Sequence, residues 1–375
     1  MGNNTIGMSK LIKINNDYAS WIKHLSLRFR QSQIKAAVKV NSEMLKFYFS
    51  LGADIVTKQA ESKWGDGFFK NLSQDLQDAL PGVKGFSETS LKYAKYFYLT
   101  YQEYVTNRPQ VGDGLDSLQK MEISPQVEDE ITPQIAAQIF SIPWGHHKLI
   151  IDKYKEQPQK ALFYVHQTIK YNWSRSVLLN FLDTNLYERQ GKAITNFKTT
   201  LPAVDSDLAQ QLTKDPYCFD FAGLTEPYRE KELKEALLQN ITKFLLELGN
   251  GFAYMGKEYR LQVGDTEQFL DLLFYNVELR TYVVVEVKVT SFEPGHLGQL
   301  SAYVSCVNHL LKKPADNATI GLLVCKDKDN VFAQYSLEGY NQPLGISGFE
   351  MSKVMPADFK STLPSIEDIE RELKD

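Results

Sequence analysis

The 375-residue sequence has no run of about eighteen consecutive apolar residues, so no bilayer-spanning helix is expected. It has only three cysteines, Cys218, Cys306 and Cys325, far apart and with no CxxC pair. That excludes a disulfide framework and a thiolate zinc site, and leaves them as buried thiols. The six histidines are scattered. The adjacent His146 and His147 cannot both aim at one ion from a regular helix, so a surface turn or a partner contact is expected there. The opening MGNNTIGMSKLIKINN lacks the basic-then-apolar order of a secretory signal, and its acylation-like start fails at Ile6, where Ser or Thr is required. A cytoplasmic protein is the simplest expectation. An overall basic excess is absent too: the net charge is -4 and the pI about 6.0, so composition alone does not announce a nucleic-acid binder.

What is present is an ordinary globular balance, 43% apolar and 23% charged, on a chain longer than one core usually organises. Charge is unevenly spread: the first hundred residues carry 14 Lys and Arg against 8 Asp and Glu, an excess of six positive charges. Leu25, Ile34, Val38, Leu45, Tyr48 and Leu51 recur at helical spacing. WGDGFF at 64–69 interrupts that helix, a second runs from Leu72 to Leu80, and Ser87 is placed to cap a third through Leu91, Tyr93, Phe97 and Tyr98. A helix-turn-helix and a plain helical hairpin both fit this pattern. Residues 105–133, rich in Pro, Gly and acids, read as a linker or long loop. Helical patterning resumes over 134–205, with Ser174 as an N-cap and with Arg175, Arg189 and Lys192 as solvated charges or phosphate contacts.

From about 216 the character changes. A helix over Glu226–Leu248 ends at Gly249-Asn250-Gly251. Strands follow at Phe252–Val263, Phe269–Tyr275, Tyr282–Val289 and Ile320–Cys325, with a helix over Pro294–Lys312 before the last. The whole is a multidomain α plus α/β chain: a helical region over 1–104, the linker, its helical continuation over 134–205, and an α/β domain over 216–375. Its mixed sheet starts as an antiparallel meander.

Two of those strands contain charges in apolar runs, Asp271 in FLDLLFY and Glu286 and Lys288 in VVVEVKV. Desolvating such groups is costly unless they are paired or bind a metal. Residues two apart on a strand share a face, so Glu286 and Lys288 project together and Asp271 can lie near them at the open end of the hairpin. Hard carboxylate oxygens beside a lysine suit Mg2+, with Mn2+ as a substitute, and a water attacking a phosphodiester. Asp271, Glu286 and the Val287 carbonyl would hold the metal, and Lys288 would orient the water or neutralise the phosphate. An E-x-K pair on the solvent face of a strand also fits the bare triplet. Glu232 and Glu235, one turn apart on the preceding helix, are candidates to complete the metal shell. Gln299 and Tyr303, at i and i+4 on the following helix, are candidates to hold phosphate or the lysine.

FLDLLFYNVELRTYVVVEVKV, with HLGQLSAYV and IGLLVCK, resembles the nuclease domain of the YhcG-like PD-(D/E)XK family. RFRQSQIKAAVKVNSEMLKFYFSLGADIV, IPWGHHKLII, NWSRSVL and LYERQGKAITNFKTTLP are similar to that family's N-terminal region. The resemblance implies a restriction-endonuclease-like fold after a helical DNA-binding domain. It matches Asp271 to the PD position, with Leu270 where Pro is usual, and Glu286 and Lys288 to E-x-K. Gln299 and Tyr303 resemble the Q-x-x-x-Y helix of exonuclease-like relatives, and Glu232, ahead of Glu235, matches the first-helix acid. The activity so implied is Mg2+-dependent DNA endonuclease, serving restriction, defence, or DNA repair and recombination. The alternative is a catalytically silent nucleic-acid-binding or adaptor protein of a restriction or defence complex. A homodimer would supply the two sites that cutting both strands requires.

Overall fold

The computed structural model describes residues 39–65, 67–105 and 134–351. The 105–133 linker therefore lies, beyond its first residue, outside the described residues, as does everything before residue 39. The chain divides into two units, residues 1–178 and 179–375, so the segment expected as one helical continuation over 134–205 is split between them.

The first unit is helical: α1 (residues 39–57), α2 (Ala60–Trp64), α3 (Phe68–Ala79), α4 (Glu88–Val105), α5 (residues 134–139), α6 (Trp144–Tyr154) and α7 (Pro158–Tyr171). Helix α8 (Arg175–Asp183) follows across the division. Ser87 caps α4 as expected, its Oγ accepting from the Ser90 N–H at 3.2 Å. Residues 80–87 join α3 to α4, a connection longer than the three or four residues of a tight helix-turn-helix turn. Gly52 lets α1 approach α4, since a Cβ there would lie 2.2 Å from the Ala94 carbonyl oxygen.

The expectation for the histidine pair is corrected here. His146 and His147 lie on α6 with their rings inside. His147 stacks edge-on against Phe97 and Tyr101, and its Nε2 is 2.7 Å from the Ile139 carbonyl; His146 Nε2 is 3.0 Å from that of Trp173. Burial pushes His147 down to about 3, so it is neutral and tied to a helix end.

The second unit has α9 (Leu186–Arg189), β1 (Ile194–Thr195), α10 (Phe197–Thr200), α11 (Ala203–Leu212), β2 (Tyr217–Cys218), α12 (Glu230–Gln239), α13 (Ile241–Leu248), β3 (Phe252–Val263), β4 (Thr266–Asn276), β5 (Thr281–Ser291), α14 (Pro294–Leu310), β6 (Ile320–Asp327), α15 (Asn330–Leu337) and β7 (Leu344–Glu350). The sheet order is β1-β7-β6-β5-β4-β3, with β2 added to β7. Strands β3, β4 and β5 form the expected antiparallel meander, and β5, β6 and β7 run parallel. Alternation decides which side each residue feeds. Val283, Val285 and Val287 join Leu233 and Leu237 of α12 in one core, whereas Val284 joins Leu297 and Leu300 of α14 in the other. Helix α14 packs close because Gly321 on β6 has no side chain: a Cβ there would come within 2.9 Å of Leu300 and Val304.

Two further expectations change. The single helix over Glu226–Leu248 is two, α12 and α13. Arg229 is still extended, and the chain breaks at Asn240, whose side chain takes the Ala236 carbonyl (3.1 Å). Arg189 is neither solvated nor available to phosphate. Its guanidinium is buried against Glu247 and donates to the Thr184 and Pro216 carbonyls.

Candidate active site

The β4–β5 ladder runs from Asn276 and Thr281 to Leu272 and Val285 and stops there. One further step in the same register would set Asp271 against Glu286. The β3–β4 ladder also skips Asp271, between the Leu270–Tyr259 and Leu272–Lys257 pairs, and Glu258 opposite it has a φ of 44°. Asp271 thus sits where pairing fails on both sides, and its carboxylate fills the opening: the Val287 N–H donates to Asp271 Oδ2 at 3.4 Å. The N–H and C=O of one strand residue point to the same side, so the Val287 carbonyl opens on the same gap.

Glu286 and Lys288 share with Val284 the β5 face that α14 covers. Glu286 is 1% exposed, and neither of its oxygens has a hydrogen bond. Lys288 Nζ is 2.8 Å from Oε1, an ion pair whose approach is too oblique for a hydrogen bond. Burial, then the neighbouring Asp271 charge, raises the Glu286 carboxyl to about 7, with the Lys288 and Lys234 ammonium groups opposing them. Burial disfavours the Lys288 charge, but Glu286, Glu230 and Asp271 outweigh it and hold its pKa above the usual lysine value.

Two residues that the sequence reading passed over complete the cluster, both on α12. Lys234 Nζ lies 2.7 Å from Asp271 Oδ1 and 3.1 Å from Glu230 Oε1; Glu230 Oε1 is also 3.5 Å from Lys288 Nζ. The expected first-helix acids are elsewhere. Glu232 accepts from the N–H and guanidinium of Arg229 at the start of the helix, and Glu235 is 3.9 Å from Lys231. The signal for Glu230 was present: Glu230, Leu233, Lys234 and Leu237 follow i, i+3, i+4, i+7, so both charges lie on the side of the buried stripe opposite Glu232 and Glu235. Gln299 and Tyr303 are brought to each other, the Gln299 amide donating to the Tyr303 hydroxyl at 2.7 Å.

These charges lie inside a recognisable pair of sequence regions. Residues 210–364 match the YhcG PDDEXK nuclease domain, and residues 24–189 match the DUF1016 N-terminal domain. Over these two regions the chain is similar to the YhcG-like PD-(D/E)XK nuclease family. It is 28% identical over 325 residues to the protein YhcG of Escherichia coli (strain K12), covering 83% of this chain and 84% of that one. Among solved structures it is similar to an EndoMS–dsDNA complex, at 19% identity and a TM-score of 0.25 over 35% of this chain and 48% of the other. A repair endonuclease from Pyrococcus abyssi is similar at 18% identity and a TM-score of 0.22, over 34% of this chain and 49% of that one. The chain spans about half the length of these two solved structures.

Residues 210–364 match a nuclease domain, and the donors present suit a hard divalent cation. The Glu286 carboxylate is buried against the Lys288 ammonium, the Asp271 charge is near enough to raise its pKa, and Asp271 itself accepts from the Val287 N–H. Among the described residues no three His, Cys, Asp or Glu side chains form a ready cage. Mg2+ does not need one, because it commonly keeps several waters and takes only one or two carboxylates. No helix of the described residues is long and apolar enough to cross a membrane.

Proposed function

We propose that the chain is a Mg2+-dependent DNA endonuclease whose site is Asp271, Glu286 and Lys288, with Glu230 in place of Glu232 as the first-helix acid. The observation that carries this reading is Glu286, a carboxylate almost wholly withdrawn from water whose oxygens make no well-aligned hydrogen bond and meet only the oblique Lys288 ammonium among the described residues. Unmade hydrogen bonds at a buried charge cost several kcal/mol, roughly, and persist where another ligand is expected. Asp271 and Glu286, with the Val287 carbonyl, would hold the cation, which supplies Lewis-acid polarisation of the phosphate and an acidified water.

The chain's own groups do the rest. Lys288 holds its ammonium beside Glu286, where it would neutralise the phosphorane charge as the water oxygen bonds to phosphorus, its proton passing to solvent, and the bond to the leaving sugar oxygen breaks, that oxygen taking a proton from solvent. Glu230 keeps Lys288 from turning wholly onto Glu286. Gln299 and Tyr303 present a joined amide and hydroxyl on α14 that would hold a phosphate oxygen. The helical N-terminal region grips the duplex, a homodimer provides a second site for the other strand, and the cytoplasmic setting is restriction, defence or repair.

The test is incubation of the full chain with linear, branched and single-stranded DNA and with RNA, in Mg2+ or Mn2+. Cleavage of DNA that Asp271→Asn and Lys288→Met abolish is expected. No cleavage of any substrate, or equal cleavage by the variants, would overturn the proposal.

A further inference from the structure

Lys234 has no role in the chemistry described so far, although it makes the shortest contact to Asp271 among the described residues. Its Nζ lies 2.7 Å from Asp271 Oδ1, and both side chains are mostly shielded, 21% and 14% exposed. Ion pairs so placed are screened less than surface pairs. Across the cluster three carboxylates, Glu230, Asp271 and Glu286, face two ammonium groups, Lys234 and Lys288. The two halves differ. Lys288 meets Glu286 Oε1 obliquely, whereas Lys234 donates a full hydrogen bond to Asp271 Oδ1.

A divalent cation shared by Asp271 and Glu286 would stand within a few ångströms of the Lys234 ammonium, and like charges at that separation in a half-shielded site repel strongly. Lysine carries its charge on a flexible stem, and Glu230, one turn back on α12, offers it a second anchor at 3.1 Å. We propose that Lys234 is an exchangeable counter-ion, which neutralises Asp271 while the site is empty of metal and yields that carboxylate to the divalent cation, turning its ammonium toward the substrate phosphate. This rests on the nuclease reading of Asp271 and Glu286. It makes Lys234 a positioning residue that links metal loading to the arrival of the phosphate, and such linkage is reciprocal.

The experiment measures Mn2+ binding to the full chain without DNA, by electron paramagnetic resonance of the free ion. Lys234→Met should bind Mn2+ about three- to tenfold more tightly than the unaltered protein, and Lys234→Arg should stay within about twofold of it. A non-cleavable phosphorothioate duplex should tighten Mn2+ binding in the unaltered protein and do so less in Lys234→Met. A fixed, purely structural ion pair would also yield tighter Mn2+ binding on removal, by loss of repulsion, but would leave the duplex's effect on Mn2+ affinity equal in both proteins, and that equality overturns the inference. Mn2+ affinity unchanged or weakened in a folded Lys234→Met overturns the inference. Should that variant fail to fold, Lys234→Gln is read in the same way. The underlying reading fails separately: if Asp271→Asn binds Mn2+ as the unaltered protein does, the metal site itself is wrong. Loss in Asp271→Asn with no gain in Lys234→Met sinks the Lys234 role alone.

Discussion

The nuclease unit buries two glutamates almost equally, and they are treated in opposite ways. Glu247, 4% exposed, receives both ends of the Arg189 guanidinium fork and the Cys218 N–H at 2.8 Å, and the buried Lys214 ammonium bonds its backbone carbonyl. Glu286, 1% exposed, meets only the oblique Lys288 ammonium at 2.8 Å among the described residues, and no backbone N–H or guanidinium. Burial alone therefore does not mark a functional carboxylate. A satisfied buried acid ties chain segments together, here α9, β2 and α13, whereas an unsatisfied one is held ready for something else.

The largest effect expected from this contrast is on catalysis. Glu286→Gln should lower DNA cleavage roughly a thousandfold or more, by removing a charged ligand at the reacting centre. Circular dichroism should show it folded. Activity within tenfold of the starting protein would erase the distinction. Glu247→Gln reverses the pattern: stranding the buried Arg189 should cost about 3–5 kcal/mol in denaturant unfolding, while the metal affinity of protein that remains folded is kept.

A smaller effect sharpens the contrast through pH. The folded-state pKa of Glu286 is raised, so the native protein binds more protons than the unfolded chain between about 4.5 and 7, and stability falls as pH rises through that window. Without divalent metal, Glu286→Gln should remove this loss and be more stable above pH 7, by up to about 3 kcal/mol. Thermal melts across that range would show it, and parallel curves for both proteins would contradict it. The smallest effects separate the helix acids. Glu230→Gln should reduce cleavage about tenfold by freeing Lys288, whereas Glu232→Ala should leave cleavage unchanged and only slightly lower the melting temperature as a lost capping box. Equal losses of activity would return Glu232 to the site.

The meander was legible in the sequence because its evidence is local. Apolar runs bounded by turn residues mark β3, β4 and β5, and Asp271, Glu286 and Lys288 stood out as charges where desolvation is expensive. Helix α12 was harder, because its start was placed at Glu226 rather than at Glu230, hiding the face on which Glu230 and Lys234 lie. Strand β7 was missed since Leu344–Glu350 contains Gly345 and Gly348, which weaken a strand signal, although it lies buried beside β6. Arg189 and His147 were misplaced for one reason: their partners, Glu247 in one case and Phe97, Tyr101 and Ile139 in the other, are distant in sequence or offer no pattern that a single chain displays.

Strand β3 has one further consequence. It ends the sheet order, so one side of its backbone meets no other strand among the described residues, and such an edge invites a second chain to zip onto it. The irregularity between Tyr254 and Gly256 and the left-handed turn of the backbone at Glu258 crumple that edge, and Lys257, Glu258 and Arg260 stud it with charge. The distortion that makes room for Asp271 thus also guards the molecule against fibrous self-association.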